Sequence, residues 1–175
     1  MIEFLIRRFV PDWQQVQRTD VRERYGTLAA AVGILSNIFL CIIKGLIGLF
    51  SGSIAVTADA VNNLSDAGSS VITLLAFKIA GKPADEEHPY GHARMEYISG
   101  MAVSFIIILL GLELMGSSFE KILHPEEVGV SALTYLVLIV SIAVKLWQGM
   151  FTRSLGKRIS SEALQATAAD SLNDV

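Results

Sequence analysis

Between Ile54 and Ala80 the chain stays apolar for long enough to cross a bilayer, yet it carries Asp59, Asn62, Asn63 and Asp66 near the middle of that run. A membrane-crossing helix needs about 20 mostly apolar residues. On a helix, Asp59, Asn62 or Asn63, and Asp66 recur at spacings of three and four, so they share one face. A carboxylate at membrane depth costs about 2.5 to 3.5 kcal/mol on insertion scales and is tolerated where it meets a partner, a cavity or an ion. Hydrogen-bonded glue between helices is the plain alternative, with Gly68, Ser69 and Ser70 offering a small, polar surface for it. Neutral Ser and Thr would serve that purpose at lower cost, so two Asp and two Asn on one face favour an ion site.

The rest of the chain extends the membrane reading. Hydrophobic residues make up 52% and charged residues 18%, with a mean hydropathy of +0.51. Soluble domains rarely combine these values, so the expected fold is all-α, a polytopic transmembrane helix bundle. Basic residues are scattered, with no basic, aromatic-rich patch, which argues against nucleic-acid binding. No HExxH or GxSxG motif is present, and an enzyme is not expected. The single Cys41 lies in an apolar run and can form no disulfide within the chain.

Residues 1–25 read as a cytoplasmic N-terminal segment with Arg7, Arg8, Arg18, Arg22 and Arg24. Its start suits either a short amphipathic helix on the membrane surface or a solvated tail. The transmembrane domain then takes up 26–175, with spans at about 26–50, 54–80, 95–122, 132–151 and a truncated 161–175. Lys44 near the end of the first span is expected to snorkel outward. Lys145 and Trp147 are expected to anchor the fourth span at an interface. Arg and Lys collect in the N-terminal segment and in the loops after the second and fourth spans, which places the N-terminus in the cytoplasm. The loop before the fourth span holds His124, Glu126 and Glu127, and the isolated His124 is assigned no role.

Two further groups carry chemistry. Asp170 and Asp174 are four apart and stack on one face of the last helix, where like charges repel unless a cation lies between them. Asn62 and Asp66 have the same spacing; if the two helices face each other, four oxygen-bearing side chains converge. In the loop ADEEHPYGH, His88 and His92 are four apart beside Asp85. They could share one metal on a helix, but Pro89 and Gly91 argue against a regular helix there. The plain alternative is two surface histidines next to a solvated acidic run.

At three pieces, SGSIAVTADAVNNLSDAGSS, PADEEHPYGHARMEY and ATAADSLNDV, the chain resembles the cation diffusion facilitators, divalent-metal/proton antiporters of the membrane. The resemblance runs from about Gly26 to Val175 and implies five of six helices here, with the sixth helix and a cytoplasmic domain absent from the chain. It implies a tetrahedral transport site of Asn62, Asp66, Asp170 and Asp174, and an additional site at Asp85, His88 and His92. It also implies a homodimer in the lipid bilayer of a bacterial cell (inner) membrane. Many zinc-transporting members have His where Asn62 or Asp170 stands. An all-oxygen set favours a harder ion, so Mn²⁺ is expected, with Zn²⁺ and Fe²⁺ as alternatives. Three close carboxylates are costly to keep ionised without a cation, so protons are expected to replace the metal and drive efflux. Arg94 falls where some members place a bridging basic residue, and it equally suits a plain interface anchor. A metal-sensing module without transport, or a transport-incompetent fragment, is the competing reading.

Overall fold

The computed structural model describes residues 2–51, 53–123 and 132–175, so the loop with His124, Glu126 and Glu127 lies outside the described residues. Among the described residues the chain forms six helices: α1 (Ile2–Phe9), α2 (Thr19–Ser51), α3 (Ile54–Ala80), α4 (Met95–Leu123), α5 (Ala132–Ile159) and α6 (Glu162–Asn173). The fold is the all-α bundle that the hydropathy calls for. Helices α2, α4 and α5 each hold a stretch long and apolar enough to cross a membrane. Helix α3 has 27 residues, which reach about 40 Å at 1.5 Å per residue.

Polar side chains are distributed by face. On α3, Asn63, Asp66, Ser70, Thr73 and Phe77 are buried at spacings of three and four, while Val61, Leu64, Val71 and Leu75 are exposed. The hydroxyls of Ser70 and Thr73 donate to the carbonyls four residues back, at 3.0 and 3.1 Å, so they enter the bundle with their hydrogen bonds satisfied. Ser141, Lys145, Gln148 and Thr152 form the matching buried seam of α5. Helix α4 turns Phe105, Ile108, Leu112, Met115 and Phe119 outward, as a lipid-facing helix does.

Apolar burial drives little helix association inside lipid, so close approach must come from small residues. Helices α5 and α6 form a hairpin reversed at Ser160, whose φ of 51° lies in the left-handed region. The next residue, Ser161, caps α6 by accepting the Leu164 backbone N–H at 3.3 Å. A Cβ on Gly149 would lie 2.7 Å from Leu172 Cγ, so the glycine sets how near α6 can come. Gly26 of α2 likewise accommodates the Phe77 ring of α3. Gly26→Ala is expected to destabilise the bundle by about 1–3 kcal/mol through overpacking, read as a lower thermal midpoint of the solubilised protein.

One end of the bundle holds a conventional hydrophobic core. Ile6, Val21, Tyr25, Phe77, Phe151, Leu155 and Leu164 meet there, fully buried or nearly so. The N-terminal segment is therefore neither a solvated tail nor a surface helix alone: α1 docks Ile6, and the following Val10, into this core. Tyr25 donates its hydroxyl proton to the Trp13 carbonyl at 3.0 Å and ties the connecting turn to α2. Helix α2 continues unbroken from Thr19, well before the apolar stretch begins.

Two expected anchors turn inward. Lys44 does not snorkel; its side chain is buried and pairs with Asp59 of α3 at 2.7 Å. Trp147 is partly buried, stacked on Phe151 with ring centroids 5.5 Å apart, and so packs against the core rather than marking an interface.

Candidate metal centre

Helix α3 brings Asp66 and helix α6 brings Asp170 and Asp174 to one place. Each carboxylate offers an oxygen within 4.8 Å of the other two. Two oxygens on one hard divalent ion can lie up to twice the bond length apart, about 4 to 5 Å for bonds of roughly 2.0 to 2.6 Å. The set is thus within reach of a single ion. Asp66 is buried, Asp170 partly so, and the Asp174 side chain is 25% exposed. Asp174 is the C-cap of α6, its backbone N–H donating to the Asp170 carbonyl at 3.2 Å, so the last helical turn fixes both side chains together.

Asn62 stands four residues before Asp66 on α3. It lines a cavity of about 170 Å³ beside the cluster, together with Asp59, Asn63, Ser141, Lys145 and Asp174. An ion held at the carboxylates therefore has a polar recess next to it, of a size to hold a few waters.

Lys145 overturns its reading as an interface anchor. It is 3% exposed, and its Nζ donates to Asp66 Oδ2 at 2.6 Å and to Asp174 Oδ2 at 2.7 Å. An ammonium at this depth is tolerated because two carboxylates surround it. Three residues on, buried Gln148 donates to Ser171 Oγ of α6 at 3.2 Å, and its Oε1 has no hydrogen-bond partner. A signal for this seam stood in the sequence: Ser141, Lys145, Gln148 and Thr152 recur at spacings of four, three and four.

A second cluster lies in the turn between α3 and α4. Asp85, His88 and His92 each offer a ligand atom within 4.8 Å of the other two. The segment is not helical, and Gly91 takes a φ of +76° to reverse it. His88 Nδ1 lies 3.2 Å from Asp85 Oδ1 and His92 Nε2 lies 3.5 Å from Asp85 Oδ2. The His88 backbone N–H donates to Asp85 Oδ1 at 2.7 Å, and this bond above all holds the Asp85 carboxyl below the usual carboxylate range. His92 is the most enclosed of the three, and its Nδ1 is buried without a hydrogen-bond partner.

Arg94 stays exposed at the start of α4. The buried basic contact at this end belongs instead to Arg22, one of the arginines of the N-terminal segment. Arg22 of α2 pairs with nearly buried Glu96 of α4 at 2.8 Å and also donates to the Ile159 carbonyl at the end of α5. It links three helices at one point.

Helices long and apolar enough to cross a bilayer define a membrane protein, and three carboxylates meet inside it. The cation efflux transmembrane domain matches residues 30–175, and the chain belongs to that family, one of transporters rather than enzymes. The manganese efflux system protein MneS of Bacillus subtilis is 35% identical over 157 residues, covering 87% of this chain and 54% of that protein. The magnetosome protein MamB of Magnetospirillum gryphiswaldense is 31% identical over 139 residues, covering 79% of this chain and 47% of that protein. A second Bacillus subtilis protein, the manganese efflux system protein MneP, is 27% identical over 154 residues, covering 88% and 52% respectively. The chain spans about half the length of the curated relatives it matches.

Proposed function

We propose that this chain is the membrane domain of an exporter that exchanges a divalent cation, Mn²⁺ before Zn²⁺ or Fe²⁺, for protons. The observation that carries the reading is the convergence of Asp66, Asp170 and Asp174 from two helices within 4.8 Å. In this reading the transported ion binds those three carboxylates, and Asn62 supplies a neutral oxygen from the cavity wall. Oxygen donors suit a hard ion such as Mn²⁺, whereas imidazole would favour zinc. The names of MneS and MneP, both manganese efflux proteins, point the same way.

Proton exchange follows from the same oxygens. The site alternates between exposure to each side of the membrane, and a cluster that has released its metal takes up protons in place of it. Metal and protons then compete for one set of atoms, and the titration belongs to the cluster as a whole. The loop cluster of Asp85, His88 and His92 is a second metal site in this reading, outside the transport path. The reading includes a homodimer in a bacterial cell membrane, and the apolar outward face of α4 supports its embedding in lipid.

Metal uptake into inside-out vesicles carrying the full-length protein tests the proposal. Mn²⁺ is expected to accumulate ahead of Zn²⁺ and Fe²⁺ and to respond to an imposed pH gradient. Uptake indifferent to that gradient would remove proton exchange. Binding without uptake of any of the three metals would replace the transporter with a sensing module.

A further inference from the structure

The candidate transport site already contains a cation. Lys145 reaches in from α5, a helix that supplies none of the three carboxylates, and its Nζ bonds one oxygen from α3 and one from α6. Those two oxygens, Asp66 Oδ2 and Asp174 Oδ2, lie 2.6 and 2.7 Å from the nitrogen. A hard divalent ion bonded to both would sit about 2.0 to 2.6 Å from each. It would therefore take nearly the position that the ammonium holds, and the two cannot be bound there together.

We propose that Lys145 is a tethered competitor of the transported ion, filling the site when it is empty and moving aside when metal enters. The inference rests on the reading of Asp66, Asp170 and Asp174 as the transport site. A fixed internal cation offsets part of the carboxylate charge between transport events, through Asp66 and Asp174, and the protons of the exchange offset the rest. It also weakens metal binding, because the site is competent only for the fraction of time that the lysine is out. A transporter gains from that weakening, since an ion held too tightly is not released on the far side.

The displaced side chain has somewhere to go. The neighbouring cavity is lined by Lys145 and Lys44 and by Asp59, Asn62, Asn63 and Ser141, the last four able to accept a hydrogen bond from an ammonium. The four-carbon stem of lysine is flexible enough for such a swing, with three donors free to find new partners. Asp59 is already paired with Lys44 at 2.7 Å, so the displaced ammonium is left chiefly the neutral oxygens of Asn62, Asn63 and Ser141.

The test uses the full-length protein in detergent with Mn²⁺ as the probe. If the lysine fills the site more than about nine-tenths of the time, Lys145→Met is expected to tighten the Mn²⁺ dissociation constant about tenfold or more, measured by calorimetry at fixed pH. A dissociation constant equal to or weaker than the native one would overturn the proposal. Native protein supplies an independent readout that does not need the variant to fold. Reductive methylation of the Lys145 amine, quantified by mass spectrometry, is expected to rise several-fold when Mn²⁺ saturates the site and frees the side chain into the cavity. Labelling that is unchanged or reduced would overturn the idea equally. If native protein and Lys145→Met both fail to bind Mn²⁺, Zn²⁺ or Fe²⁺, the transport-site reading itself falls, and the lysine proposal with it.

Discussion

Asp66→Ala in the full-length protein is expected to abolish Mn²⁺ uptake into vesicles. Losing even an outer-shell partner of a metal ligand costs about 10- to 100-fold, so losing a ligand should lower uptake by more than about 100-fold. Asp66 is the one candidate carboxylate that α3 contributes, whereas α6 supplies two, so without it α3 offers the ion no charged ligand. The same substitution removes one of the two oxygens that hold Lys145. Breaking a buried ion pair by deleting one partner costs about 3–5 kcal/mol in the general case, and Asp174 retains the lysine here, so the folding loss should be smaller. Asp66→Asn separates the two effects. Its amide keeps the volume and an acceptor for Lys145 but loses the charge that a metal needs. The expected result is a folded Asp66→Asn protein, monodisperse in detergent, that takes up no more Mn²⁺ than empty vesicles. Native uptake by a folded Asp66→Asn would remove this carboxylate from the transport site.

The residues that could be found from sequence were those whose chemistry is out of place in a membrane. Asp66 stands in an apolar run and Asp170 and Asp174 repeat at a helical spacing, so each announces a need for a partner before any contact is known. That the two helices meet was an inference from matched spacing, and the structure brings the three carboxylates together. The lysines were misread for a physical reason. A Lys toward the end of an apolar run is equally consistent with snorkelling to the surface or with turning into the bundle, since hydropathy along the chain cannot tell the lipid face from the protein face. Only partners on other helices decide it: Asp59 for Lys44, and Asp66 with Asp174 for Lys145. For Lys145 the polar stripe of Ser141, Gln148 and Thr152 on the same face could have tipped the reading inward, because a snorkelling lysine needs no polar companions a turn away on each side. For Arg22 no comparable pattern exists, since its contacts to Glu96 and to the Ile159 carbonyl span separations that only the fold brings together. The docking of α1 is of the same kind. Ile6 and Val10 are four apart and read as an amphipathic face, but whether that face meets lipid or protein is set by Tyr25, Phe77 and Leu164 far along the chain.

Asn62→His is expected to move selectivity from manganese toward zinc. Zinc binds more tightly than manganese to a given set of nitrogen, oxygen and sulfur donors, and imidazole adds a donor that suits zinc well. Asn62 is the residue to change because it lines the cavity beside Asp174 and is only partly buried, so a larger ring can be admitted without entering packed core. The carboxylates stay as they are, which keeps proton exchange available to the variant. The ratio of Zn²⁺ to Mn²⁺ uptake is expected to rise by about 10- to 100-fold, the range over which a metal site responds to one altered partner. Competition between the two ions in one vesicle preparation measures that ratio directly and cancels differences in protein amount. A rise caused only by lost Mn²⁺ uptake would mean that the ring blocks the recess, so the absolute Zn²⁺ rate must rise as well. An unchanged ratio would mean that Asn62 lines the cavity without touching the ion, leaving the three carboxylates to set the choice of metal.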